Sequence, residues 1–345
     1  MTLGKITASS VAGERTIECL GMRNETLSVN ESTACDLGSI TKIISTTSII
    51  MKLVEAKSLA LNDVVSRYLP EWSTYSRHGV TVADLLEHQA GLNEWRPLYI
   101  SKENGAAARL AIAQEGYKYS EGRHYSDLGF ITLGNIITEI LTTTLDEAFR
   151  ELVGTPLSLT STQFAHPSDA SNVFASSFGD RAELEMVRNQ TPYSTDESAE
   201  DFAGWRTHIL EGEINDGNAF HLYGGVSGHA GLFSTATDLL TYGEAILESL
   251  NGNGYFDSHV LNTFLTVGRD PIQGFGFRTW ENEGEIEYWG HTGFPGTALG
   301  VNPRTNLVLV LMTNRLLTDE QPQKTEDLFF DIRKSIRDRY KGKSV

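Results

Sequence analysis

Gly38-Ser39-Ile40-Thr41-Lys42 opens an unusually apolar run that continues through Ile43, Ile44, Ile49, Ile50, Leu53 and Val54. The spacing predicts a helix over 41–57 whose apolar positions cover more than one stripe, so it should be buried on most sides. Ser39 stands where a serine oxygen can satisfy free backbone donors at a helix start. Lys42 follows at i+3, on the same face and one turn along. A hydroxyl and an amine held at the positive end of a helix dipole make a nucleophile–base pair. Burial and the dipole both disfavour the ammonium and are expected to push Lys42 toward the neutral form that takes a proton. A capped helix with a snorkelling lysine would look the same, since roughly one chance S-x-x-K is expected in a chain this long. The rest of the sequence has to separate the two.

The 345 residues are enough for one large domain or two intimately joined ones. An apolar content of 40% with 21% charged residues is ordinary for a soluble globular protein. The formal net charge of -17 argues against nucleic-acid partners and against docking on an anionic membrane surface. Two cysteines, Cys19 and Cys35, are too few for a disulfide framework and are expected as free thiols. Neither a basic-then-apolar leader nor a span-length apolar run is visible, so the chain reads as cytoplasmic. Nine scattered histidines, with no H-E-x-x-H and no Cys/His cluster, give no metal site, and no cofactor is expected.

Taken in order, Ile6 to Val11 and Thr16 to Leu20 flank Ala12-Gly13-Glu14 as a hairpin, and Ala34 to Leu37 leads into Ser39. Helical patterns are expected at 59–68, at 81–88 with Thr81 and Asp84 as a capping pair, at 106–114 and at 128–141. Residues 154–222 are irregular, and the acidic patch Asp196, Glu197, Glu200 and Asp201 reads as solvated surface. A helix over 237–250 is followed by strands at 274–280, 286–289, 297–301 and 307–312, then a last helix over 324–339. Strands at both chain ends with helices between them predict one sheet built from both ends, around an inserted helical region.

Two later triplets carry chemistry. Tyr125-Ser126-Asp127 opens the helix containing Phe130 and Leu133. A phenol there can relay a proton if a cation lies beside it, because positive charge stabilises phenolate. The bland alternative is a packed tyrosine and an aspartate near a helix N-terminus. His291-Thr292-Gly293 follows Trp289-Gly290, and glycine on both sides permits close backbone approach of a substrate along a strand edge. His291 and Thr292 could then bind a carboxylate or an ester carbonyl; the alternative is a strand turn with a surface histidine.

S-x-x-K, Tyr-x-Asp/Asn and a basic-Thr-Gly triplet, in that order, resemble the signature of the serine β-lactamase and penicillin-binding protein superfamily. Asp84-Leu85-Leu86-Glu87-His88-Gln89-Ala90-Gly91-Leu92 is similar to the LLxHxSGL segment of its esterase-like branch, with Ala90 where serine is usual. Gly225 to Ser234 resembles that branch's glycine-rich segment, and Tyr288 to Gly293 the form in which histidine replaces the lysine of the lactamases. The resemblance implies an α+β fold of the β-lactamase/transpeptidase type. Residues 1–57 and 230–345 would form an antiparallel sheet domain flanked by helices, and 58–229 a mainly helical insertion with irregular loops. It implies Ser39 as the acylated nucleophile, Lys42 as its general base and Tyr125 as the proton shuttle to the leaving group. The backbone N–H groups of Ser39 and Phe294 would form the oxyanion hole, worth roughly 3 kcal/mol per donor. Asp127, His291, Thr292 and Gly293 would meet the substrate, a small ester, amide or β-lactam.

Two departures narrow the substrate. Asp127 stands where the lactamases have asparagine; an ionised Asp only accepts, and near Lys42 it favours the ammonium and weakens the base. His291 in place of a lysine loosens the grip on a lactam carboxylate. Both point to a carboxylesterase of small or short-acyl esters with weak β-lactamase activity. The alternatives are a D-amino-acid peptidase or amidase, a β-lactamase of the same fold, and a non-catalytic binding protein. Ser227 as nucleophile is a poorer reading, because Gly225-Val226-Ser227-Gly228-His229 misses the G-x-S-x-G elbow by its last residue.

Overall fold

The computed structural model describes residues 4–74, 79–102, 104–114, 124–318 and 320–340. Its main sheet contains Lys5–Val11 (β1), Glu14–Leu20 (β2), Arg278–Asn282 (β3), Glu285–Gly293 (β4), Thr297–Asn302 (β5) and Leu307–Thr313 (β6). All neighbours are antiparallel, in the order β2-β1-β6-β5-β4-β3, so both ends of the chain build one sheet as the sequence pattern implied. The β1–β2 hairpin turns at Ala12 and Gly13, both with positive φ (49° and 88°), as tight hairpin turns require.

Strand β6, Leu307-Val308-Leu309-Val310-Leu311-Met312-Thr313, is buried along its whole length and separates two cores. Because side chains alternate across a strand, Val308, Val310 and Met312 enter the large core beneath helix Ala236–Leu250. Leu307, Leu309 and Leu311 face the other way, against Phe329 and Ile336 of helix Thr325–Tyr340. Gly243 lets its helix lie close on the sheet, because a Cβ there would run into the Val308 methyls.

The expected helix over 41–57 is three pieces: a 3-10 turn Gly38–Ile40, a π-helical segment Lys42–Thr47 and an α-helix Ser48–Glu55. The run Ser45-Thr46-Thr47-Ser48 accounts for the break, since hydroxyls compete for main-chain groups. Ser48 Oγ and the Tyr242 phenol both donate to the Ile43 carbonyl (2.9 and 3.0 Å), and Thr46 Oγ1 donates to the Gly228 carbonyl (2.7 Å). Ser39 makes no capping hydrogen bond, contrary to its expected role as a helix opener.

Elsewhere the helices Val82–Leu86, Gly105–Gln114, Asp127–Leu141, Ala236–Leu250 and Thr325–Tyr340 fall where the periodicity put them. Over 59–68 only Val65–Arg67 is helical, because Val65 N–H pairs with the Val80 carbonyl (2.8 Å) and Val64 bridges Thr81. Strand β3 starts at Arg278 rather than Gly274, after a tight turn in which Gly274 N–H meets the Phe277 carbonyl (2.8 Å). The stretch read as irregular contains helix Arg181–Asn189 and the paired strands Ala175–Phe178 and Ile209–Glu211. Glu197 of the acidic patch is buried rather than solvated, held by Arg96 (2.5 Å) and Ser101 (3.1 Å). Cys19 and Cys35 are free thiols.

Candidate active site

The turn Gly38–Ile40 crosses the end of β4, and two glycines make that crossing possible. Gly38 has φ +51°, and a Cβ there would lie 2.6 Å from Pro295 Cδ and 3.2 Å from Phe294 N. A Cβ on Gly293 would strike the Leu37 carbonyl, which instead accepts from Thr297 Oγ1 (2.8 Å). The main chain at Ser39 and the Phe294 N–H are thereby brought side by side. Asp36 pins the turn from below: Gly38 N–H (2.9 Å) and Asn215 N–H (2.7 Å) donate to its two oxygens. Burial pushes the Asp36 carboxyl up to about 6, against the pull of these two backbone donors.

Tyr125 and Asp127 arrive from the opposite wall. Ser126 caps helix Asp127–Leu141, accepting from Gly129 N–H (3.3 Å) and donating to the Asn93 carbonyl (2.6 Å). Ser126 N–H donates to His88 Nδ1 (3.0 Å), and the His88 ring lies 4.5 Å from that of Tyr125. The segment 84–92 thus supports the tyrosine. Asp127 is the first residue of its helix, where the dipole favours a carboxylate.

Lys42 is completely buried and stands between the two walls. Its Nζ donates to Asp127 Oδ1 (2.6 Å), Ser39 Oγ (2.8 Å) and the His229 carbonyl (3.1 Å). Tyr125 is a further hydrogen-bond partner of Lys42, so the nitrogen is surrounded by oxygen atoms, which favours the ammonium. Burial pulls the Lys42 pKa down, but Asp127 and Tyr125 outweigh it and the pKa ends raised. The expectation of a neutral lysine at rest is therefore corrected: the carboxylate reverses what burial alone would do. Burial raises the Tyr125 pKa more than Lys42 lowers it, so the resting group is a phenol and not a phenolate.

His291 is buried and lies against Tyr125, ring centroids 5.7 Å apart, rather than on the surface. Its Nδ1 is 2.6 Å from the Thr292 carbonyl, and Thr292 Oγ1 donates to Glu326 (3.3 Å). Ser39 therefore lies between two recesses. One is a cavity of about 220 Å³ walled by Trp95, Tyr125, Tyr193, Glu183, Asp216 and Phe294. The other is an open cleft with Arg278, His291 and Thr292.

Ser227 is buried and its Oγ meets His229 Nδ1 (2.9 Å), while His229 Nε2 meets Asp216 Oδ1 (2.9 Å). The serine faces the interior, so this chain of contacts holds the 227–229 backbone instead of presenting a nucleophile. Glu183 and Asp216 were missed in the sequence because both fall in the stretch read as irregular. The i, i+3 pair Leu184 and Val187 was the signal for the helix that carries Glu183. Among the described residues, no group of His, Cys, Asp and Glu side chains is arranged to hold a metal ion.

The β-lactamase family model matches residues 11–331, and the chain belongs to that family. It is a serine hydrolase of the β-lactamase and penicillin-binding protein fold. A protein of Escherichia coli (strain K12) named "Putative D-alanyl-D-alanine carboxypeptidase" is 28% identical over 330 residues, covering 86% of this chain and 73% of that protein. Among solved structures, "EstCE1, a hydrolase with promiscuous acyltransferase activity" has a TM-score of 0.69 at 20% identity, covering 91% of this chain and 90% of that one. A class C β-lactamase from Rhodobacter sphaeroides has a TM-score of 0.67 at 18% identity, covering 96% and 94%.

Proposed function

We propose that the protein hydrolyses small carboxylic esters through an acyl-enzyme on Ser39. The observation that carries this reading is Ser39 Oγ, 2.8 Å from Lys42 Nζ, at the mouth of a cavity of acyl-group size. Since Lys42 rests as an ammonium donating to Ser39, it must first lose a proton to act as base. Asp127, 2.6 Å away, is the acceptor in reach. As Lys42 passes a proton to Asp127, its amine takes the Ser39 proton and Oγ forms the ester bond to the acyl carbon. The oxyanion of the tetrahedral intermediate meets the N–H groups of Ser39 and Phe294, each worth roughly 3 kcal/mol. Tyr125, held as a phenol, protonates the departing alkoxide. Water then attacks the acyl-enzyme, with the tyrosine taking its proton; as the acyl–oxygen bond breaks, Lys42 returns a proton to Ser39 Oγ and recovers one from Asp127.

Asp127 supports esters over β-lactams, because a carboxylate committed to Lys42 has no N–H to offer an amide carbonyl. A second reading, a small D-amino-acid amide or peptide substrate, is favoured by Arg278 beside His291 in the open cleft, where a leaving-group carboxylate could share the guanidinium with its present partner Glu326. Turnover of p-nitrophenyl butyrate, a chromogenic cephalosporin and a D-alanyl amide separates these. The ester is expected to be turned over fastest; a cephalosporin turned over far faster would overturn the ordering.

A further inference from the structure

The cavity on one side of Ser39 has an uneven charge. Three carboxyl side chains, Asp127, Glu183 and Asp216, contribute to its wall, and no lysine, arginine or histidine side chain does so among the described residues. Asp127 is neutralised by Lys42, which leaves Glu183 and Asp216, the latter with His229 against one of its two oxygens. Their placement is built. Glu183 receives Gly217 N–H (2.8 Å) and the Tyr99 hydroxyl (2.8 Å), and any Cβ on Gly217 would collide with the Glu183 carboxyl and the Tyr99 ring. Asp216 Oδ1 accepts from His229 Nε2 (2.9 Å) and Ala219 N–H (2.8 Å), while Oδ2 has no hydrogen bond among the described residues. Arg206, the nearby buried cation, is spent on Asp180 (2.6 Å) and on the Ile214 carbonyl (2.9 Å). The aromatic rings of Trp95, Tyr193 and Phe294 complete the wall, and ring faces attract cations.

We propose that Glu183 and Asp216 make this cavity a subsite for an alkylammonium group, so that the enzyme prefers acyl groups carrying a positive charge over neutral ones of the same shape. The inference rests on Ser39 being the acylated residue, with the acyl group in this cavity and the leaving group in the open cleft. A cation fits where two carboxyls now oppose each other. Burial and the neighbouring Asp216 charge push Glu183 up to about 8. For Asp216, burial opposes ionisation, but His229 and Lys42 outweigh it and hold the group below the usual range. The negative charge of the pair therefore rests first on Asp216, and a second is gained as Glu183 ionises at higher pH. Tyr99, Asp216 and Asp180 face Glu183, and Asp180 is itself paired with Arg206 and with His221 (3.0 Å).

The test compares isosteric p-nitrobenzyl esters: alanyl (both enantiomers) against isobutyryl, and β-alanyl against butyryl, each kcat/KM corrected for the spontaneous rate. At pH 6.5 at least one ammonium ester is expected to be favoured tenfold or more over its isostere. Asp216→Asn should lower that ratio at least tenfold. In the native enzyme the β-alanyl/butyryl ratio should rise between pH 6.5 and 8, and in Glu183→Gln it should stay flat. Ratios near one in the native enzyme, or ratios that survive both substitutions, overturn the ammonium subsite while leaving Ser39 chemistry intact. If neither member of any pair is turned over, or if turnover persists in Ser39→Ala, the acyl-enzyme reading itself fails and the subsite with it.

Discussion

Replacing Asp127 with asparagine tests how the resting lysine is held. The ion pair is short, 2.6 Å, with Lys42 0% and Asp127 15% exposed. At an effective dielectric of 20, two unit charges at that separation attract by about 6 kcal/mol before desolvation is counted. Removing one partner of a buried pair commonly costs about 3–5 kcal/mol, and the partial exposure of Asp127 places this case near 3. The native contribution is present throughout the range below the ordinary lysine pKa, because the folded pKa is raised. In Asp127→Asn burial acts on Lys42 unopposed and the folded pKa falls, so the penalty grows as pH falls. Urea unfolding at pH 6 should show a loss of about 3 kcal/mol, and at pH 9.5 clearly less. The rising limb of the kcat/KM profile should move to lower pH, because the amine no longer has to shed a proton to Asp127. Equal stability at pH 6 together with an unmoved profile would refute the reasoning.

Tyr125→Phe should lower kcat about 10²–10⁴-fold for alkyl esters and less for p-nitrophenyl esters, whose leaving group needs no proton; equal losses on both would remove the acid role. Gly38→Ala forces a Cβ onto Pro295 in a left-handed turn, and kcat should fall about 10²-fold with little change in KM, through the lost Phe294 N–H alignment. Gly243→Ala, far from Ser39 and against Val308, should cost about 1–3 kcal/mol in urea unfolding while Ser39 still acylates. Glu183 has a folded pKa of about 8, above its unfolded value, so its contribution is complete below about pH 4 and is lost as pH rises through 8. Glu183→Gln should therefore match the native protein near pH 4 and exceed it in stability at pH 8; a constant difference across that range would contradict the assignment.

The parts of the site that lie within one helix turn or one strand end were readable from the chain. Ser39 with Lys42, Tyr125 with Asp127, and His291 to Gly293 each form a local pattern, and the fold brings the three together around one hydroxyl. The charge state of Lys42 was not readable locally, because its counter-ion lies 85 residues away in sequence. In the sequence Asp127 reads as a group that would favour the ammonium if it lies near Lys42, yet only the 2.6 Å contact decides that it outweighs burial. The π-helical segment was hidden for a related reason, since the Tyr242 phenol and the Gly228 carbonyl that engage its backbone and hydroxyls come from a remote segment. Glu183 and Asp216 were lost because polar stretches without strong periodicity give no hint of what their carboxyls face. In the sheet, by contrast, alternation along β6 was enough, because each face of that strand meets its own core.

Intact-mass and peptide analysis after treatment with a fluorophosphonate tests the central claim most directly. One adduct per chain is expected, on the peptide carrying Ser39, and none in Ser39→Ala. No adduct, or one that persists in Ser39→Ala, would contradict the account.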